Sequence, residues 1–79
     1  MKYQAKGTCC VTIDYDIVDG KVSNVVFTGG CAGNHLGIAQ LVEGMEPSEV
    51  ISRLEGIKCG FRSTSCPDQL AQALKAGLN

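Results

Sequence analysis

Apolar and polar residues alternate between Thr8 and Ile17. One face of this alternation carries Cys9, Val11, Ile13, Tyr15 and Ile17, and the other carries Thr12, Asp14 and Asp16. A period of two residues is typical of a strand that buries one face and exposes the other. The pattern therefore predicts a half-buried strand near the start of the chain.

A two-residue turn is predicted directly after this strand. Asp19-Gly20 stands between it and a second stretch rich in β-branched and aromatic residues, Val22 to Thr28. Asp-Gly favours a tight hairpin turn, because both turn positions need a positive φ that these two residue types accept. The two stretches are therefore expected to pair as an antiparallel hairpin.

The turn also predicts a register for the hairpin. With this turn Ile17 faces Val22, and counting outward along both strands places Cys9 opposite Gly30. Cys31 is the next residue, so the hairpin is expected to bring Cys9 and Cys31 to the same end. The count assumes that the strands contain no bulge, and the glycine pair before Cys31 is where a bulge would be expected.

Helical spacing begins after the loop GGCAGN. Asn34 is a candidate N-cap, because its side chain can accept a hydrogen bond from an N–H group of the first turn. A short helix is predicted from His35 to Glu43, with Gly44 ending it. Its inward face is expected to consist of Leu36, Ala39 and either Leu41 or Val42.

Two further helices are predicted. The second has a proline in its first turn, is closed by Gly56, and carries one apolar stripe of Val50, Ile51 and Leu54. The third begins at the letters SCPD, where Ser65 and Asp68 have the spacing of a capping box, and ends at Gly77. Its buried face is expected to be Leu70, Ala73 and Leu74. The order ββααα predicts an α+β fold, an N-terminal β-hairpin followed by three short helices, in a single small domain over residues 1–79.

Composition limits the kinds of partner. A chain of 79 residues has room for one small domain. A net charge of −1, with no block of Lys or Arg, argues against direct binding to nucleic acid or to an anionic membrane. The start MKYQAKGTCC lacks the apolar region of a signal peptide, and no apolar run reaches the roughly 20 residues that span a bilayer. A cytoplasmic protein with reduced thiols is therefore expected.

Five cysteines in so short a chain indicate special chemistry. A domain of this size buries only about 60–65% of the surface that its unfolded chain exposes. We therefore expect an additional cross-link, such as a disulfide or a bound metal, to stabilise its small core. The number of cysteines is odd and two of them, Cys9 and Cys10, are adjacent, which does not favour a disulfide framework. Reduced cysteines at this density indicate metal or redox chemistry.

Four of the cysteines occupy positions suited to a shared metal ion. Cys9 lies on the apolar face of the first strand, whereas Cys10 lies on the polar face. Cys31 and Cys66 each stand at or just before a predicted helix N-terminus, where the helix dipole favours the thiolate. Cys59 lies in a predicted loop with glycines on both sides, Gly56 and Gly60, and such a loop can bend around a ligand. The predicted ligands of a Cys₄ zinc site are therefore Cys9, Cys31, Cys59 and Cys66.

Other interpretations of the cysteines stay open at this point. The chain lacks the C-x₂₋₄-C pairs that are usual in zinc ribbons and fingers, and a cysteine also serves as a small buried apolar side chain. The sequence contains no C-x-x-C motif for dithiol chemistry. Cys66 could act alone as a nucleophile, but the only histidine is His35, which is expected on the surface or in a helix cap.

Three short motifs carry a family resemblance: GGCAGN (29–34), GIKCG (56–60) and TSCPDQLA (64–71). With them the chain resembles the TSCPD domain family over nearly its whole length. That family includes small free-standing bacterial proteins and the C-terminal module of vitamin B12-dependent, class II ribonucleotide reductases. The resemblance implies a metal-binding role for Cys9, Cys31, Cys59 and Cys66. Cys10 departs from the family pattern.

The resemblance also implies an association with ribonucleotide reductase, and hence with DNA precursor synthesis. Radical reduction of a ribonucleotide needs adenosylcobalamin, a nucleotide site and a thiyl-bearing barrel, which 79 residues cannot enclose. The isolated chain is therefore not expected to be an enzyme, and adenosylcobalamin is expected only with a larger reductase chain as partner.

A second and weaker resemblance is to iron–sulfur cluster scaffold proteins of the NifU-like type. It rests on a β-hairpin followed by helices, with cysteines after the hairpin and before the last helix. It implies a carrier of an iron–sulfur cluster or a persulfide on exposed thiolates, and this alternative differs from a structural zinc site in function.

Overall fold

The computed structural model describes residues 2–5, 12–29, 32–58 and 64–78. Three antiparallel strands are followed by three helices, which confirms the predicted α+β class. The elements are β1 (Lys2–Gln4), β2 (Thr12–Val18), β3 (Lys21–Thr28), α1 (Ala32–Val42), α2 (Pro47–Leu54) and α3 (Cys66–Leu78).

β1 is a strand that the sequence analysis did not predict. It pairs antiparallel with β2, with Tyr3 opposite Ile13, so the strand order in the sheet is β1-β2-β3. Of its three residues, Tyr3 is the one that packs against the core. A segment this short carries too little periodicity to be recognised in a sequence.

β2 has the predicted alternation of buried and exposed side chains. Ile13 and Tyr15 are buried and Asp16 is exposed. The hydroxyl of Tyr15 donates a hydrogen bond to the carbonyl oxygen of Ala73 in α3 at 3.0 Å, and burial raises the pKa of this tyrosine. The bond fixes the sheet against α3. The predicted strand residues 8–11 lie outside the described residues.

The hairpin turn lies where the sequence predicts it. Asp19 and Gly20 have φ angles of 53° and 76°, the positive values that a tight turn of this kind requires. Ile17 pairs with Val22 across the turn, as the two-residue loop dictates. The prediction of the hairpin and of its first pairs is therefore confirmed.

β3 contains a β-bulge that the sequence analysis did not place. Asp16 pairs with Ser23 but Asp14 pairs with Val26, so β3 has one residue more than β2 between these two pairs. Asn24 lies in the bulge with a φ of 55°, a left-handed conformation that asparagine adopts more readily than most residues. Beyond the bulge, every pair is shifted by one residue from the predicted register.

The bulge decides which valine of β3 faces the core. Val25 is buried and Val26 is 55% exposed, the reverse of what strict alternation along β3 would give. The Glu43 carboxylate, directly after α1, holds the bulge by accepting hydrogen bonds from the Ser23 hydroxyl at 2.7 Å and the Asn24 backbone N–H at 3.0 Å. These bonds, that from Ser23 first, lower the pKa of Glu43.

α1 differs from the prediction at its start and on its buried face. It begins at Ala32, so the backbone of Asn34 is already helical and Asn34 is not the N-cap. Leu36 is 63% exposed, so its predicted inward orientation is wrong; of the alternatives Leu41 and Val42, the buried residue is Val42, whereas Leu41 is 78% exposed. The predicted Ala39 and Val42 do pack on the core, and they share that side of the helix with His35 and Ile38.

α2 and α3 follow the prediction closely. α2 begins at Pro47 and packs its stripe of Val50, Ile51 and Leu54 on the core. α3 buries the predicted Leu70, Ala73 and Leu74, and it runs one residue beyond Gly77. Within the described ranges, no helix has the length and apolar character needed to cross a lipid bilayer.

Candidate thiolate site

The start of α3 is capped by a side chain next to its first turn. The Oγ of Ser65 accepts a hydrogen bond from the backbone N–H of Asp68 at 3.1 Å, which is the N-cap contact that the capping-box spacing predicts. The Asp68 carboxylate accepts two hydrogen bonds, one from the backbone N–H of Gly56 at 2.7 Å and one from the hydroxyl of Thr64. The helix start is thereby joined to the loop that follows α2.

Asp68 is a buried carboxylate, with 7% of its surface exposed. Burial acts to raise its pKa, but the hydrogen bonds from Thr64, Gly56 and Gln72 and the charge of Lys75 outweigh burial and lower the pKa below the usual 3.8. Asp68 is therefore ionised at neutral pH. Its negative charge lies at a helix N-terminus, where the dipole stabilises it further.

A second hydrogen bond ties the chain before Cys59 to the chain before Cys66. The Oγ of Ser65 donates to the carbonyl oxygen of Ile57 at 2.7 Å. Cys59 is two residues after Ile57, and Cys66 directly follows Ser65. One hydroxyl therefore joins the chain at Ile57 to the start of α3.

Cys66 is the first residue of α3 and lies in the core. It is 7% exposed and belongs to the buried apolar cluster. Backbone N–H groups at a helix start stabilise negative charge on a group placed there. A sulfur in this position is shielded from water and lies next to the positive end of a helix dipole, which suits a metal-bound thiolate.

The open end of the hairpin leads to two other predicted ligands. Thr12 pairs with Thr28, and not with Phe27 as in a hairpin without a bulge. Cys9 is three residues before Thr12 along the chain, and Cys31 is three residues after Thr28. Three residues span at most about 11 Å, so covalent geometry keeps each of these cysteines close to the last described pair of the hairpin.

His35 is buried, contrary to the expectation that it lies on the surface or in a helix cap. The residue is 6% exposed, and its ring stacks on Phe27 of β3 with centroids 4.6 Å apart and planes at 26°. Its Nδ1 has no hydrogen-bond partner among the described residues. The signal that the sequence analysis missed is the spacing of His35 from Ile38, Ala39 and Val42, which places all four on one helix face.

A family model for the TSCPD domain matches residues 1–78. The chain belongs to the TSCPD domain family. The five letters T-S-C-P-D stand at residues 64–68, so they form the cap and first turn of α3 described above. The comparisons with curated proteins and with solved structures gave no match.

In this TSCPD domain the predicted ligand set is only partly within the described residues. Cys66 is described, whereas Cys9, Cys31 and Cys59 lie outside the described residues, as does Cys10. Within residues 2–5, 12–29, 32–58 and 64–78, no group of three or more His, Cys, Asp or Glu side chains could hold a metal ion. The four-cysteine site stays a prediction. The structure describes the hydrogen bonds and strand pairs of the segments that lead to it.

Proposed function

We propose that this TSCPD domain is a small thiolate metal-binding module in which Cys9, Cys31, Cys59 and Cys66 hold one zinc ion. Zinc binds four thiolates in a tetrahedral arrangement. Such a site carries a net negative charge. The N-termini of α1 and α3, directly beside Cys31 and at Cys66, would offset part of that charge.

The observation that carries the proposal is the anchoring of the four cysteine-bearing segments in two pairs. The bond from Ser65 to Ile57 joins one pair, and the pairing of Thr12 with Thr28 joins the other. Each of these four residues is within three positions of a different predicted ligand. The fold holds these anchor points, and each is separated from its predicted ligand by a short length of chain.

The core connects the two pairs of segments. Cys66 belongs to the same buried cluster as Ile13, the neighbour of Thr12 in β2. Phe27, the neighbour of Thr28, packs against that cluster as well. Because both pairs of segments border one core, we favour one shared site over two separate ones.

The burial of Cys66 supports a structural metal over a transferable one. A carrier of a labile iron–sulfur cluster or persulfide needs thiolates that a partner can reach, and Cys66 is only 7% exposed. The apparent binding free energy of structural zinc is about 10–16 kcal/mol, which is comparable with the whole stability of a small domain. Metal binding would therefore supply the additional stabilisation that a domain of this size needs.

Metal analysis of the protein and of its Cys→Ser variants tests the proposal. We expect one tightly held zinc per chain by native mass spectrometry and elemental analysis. Loss of tight binding is expected in C9S, C31S, C59S and C66S, whereas C10S is the matched control and keeps its zinc. A protein that is purified without metal and takes up none on titration would contradict the proposal. A brown protein after anaerobic purification would favour the cluster carrier.

The biological partner that we propose is a larger ribonucleotide reductase chain, in the cytoplasm. The family resemblance of the motifs at residues 29–34, 56–60 and 64–71 supports it. In this role the zinc-completed domain is an accessory that docks on the reductase, which itself holds adenosylcobalamin and the nucleotide. Affinity purification of the tagged domain should recover a reductase, and recovery of none under reducing, zinc-containing conditions would count against this partner.

A further inference from the structure

We draw no further inference here: the strongest candidate, the surface patch on α1 where Leu36 and Leu41 are exposed, is an apolar helix face, and nothing among the described residues shows what covers it.

Discussion

The hydroxyl of Ser65 bridges the start of α3 and the loop after α2: it accepts a hydrogen bond from the N–H of Asp68 and donates one to the carbonyl oxygen of Ile57, at 3.1 and 2.7 Å. Both contacts lie within two residues of a predicted ligand, Cys66 or Cys59. The letters T-S-C-P-D thus combine a helix cap, a loop anchor and a cysteine in five consecutive residues.

Replacing Ser65 with alanine removes both contacts. We expect the variant to lose about 0.5–2 kcal/mol of unfolding free energy, as for other N-cap deletions, and to bind zinc more weakly, because the segment leading to Cys59 loses its anchor. Ser52→Ala is the matched control. Its hydroxyl bonds the carbonyl oxygen of Glu49 on the exposed face of α2, and we expect a change within about 0.5 kcal/mol. Equal losses in the two variants would argue against the anchoring role.

The Asp68 carboxylate makes stability depend on pH in a defined direction. Its pKa is lower in the folded protein than the usual 3.8, so the unfolded chain binds the proton more tightly. The stability it contributes is therefore fully present above 3.8 and is lost as the pH falls further, through the folded pKa.

The isosteric variant Asp68→Asn isolates this contribution. The difference in unfolding free energy between wild type and D68N, measured in urea, should be constant from neutral pH down to about 5 and should shrink at lower pH. Taking the difference removes the acid-driven loss of metal, which both proteins share. A difference that stays the same or grows as the pH falls below 3.8 would show that the carboxylate is not stabilised in this way.

Leu70 and Leu41 are a matched pair of helical leucines in opposite environments. Leu70 is fully buried in the core at 0% exposure, and Leu41 is 78% exposed on α1. We expect Leu70→Ala to lose about 2–5 kcal/mol of unfolding free energy, enough to unfold a marginal domain without its metal. Leu41→Ala should change stability by about 0.5 kcal/mol or less. A large loss in L41A would contradict the exposed position of Leu41 on α1.

Asn24 tests the bulge that sets the register at the cysteine end of the hairpin. At a φ of 55°, valine should cost roughly 1–2 kcal/mol more than asparagine, whereas glycine accepts this conformation. Asn24→Gly and Asn24→Val both remove the side-chain bond to Asp16, so the comparison reports the backbone alone. In thermal unfolding, the glycine variant should have a clearly higher melting temperature than the valine variant. The reverse order would mean that the strand has no left-handed residue here.

Local signals were sufficient for the turn and for the last two helices. Asp19-Gly20 determines its own backbone geometry, and Pro47 and Ser65 mark helix starts through interactions within one turn. α3 is amphipathic, so its buried face of Leu70, Ala73 and Leu74 could be predicted without knowledge of the rest of the fold.

Features that depend on distant parts of the chain could not be predicted. The bulge at Asn24 relies on the carboxylate of Glu43, which is far away in the sequence. The face of α1 was ambiguous because apolar residues occur on several sides of it, and burial of His35 against Phe27 requires the sheet to be in place. The two pairings that lead to the candidate site, Ser65 with Ile57 and Thr12 with Thr28, have the same character, because each joins residues that are apart in the sequence.

Zinc K-edge X-ray absorption of the Cys10→Ser variant tests the central claim most directly. This variant retains four cysteines: Cys9, Cys31, Cys59 and Cys66. We predict a first shell of four sulfur atoms at about 2.3 Å from zinc, with no nitrogen or oxygen neighbour. Fewer than four sulfurs, a light-atom ligand in their place, or a variant that retains no zinc would contradict the account.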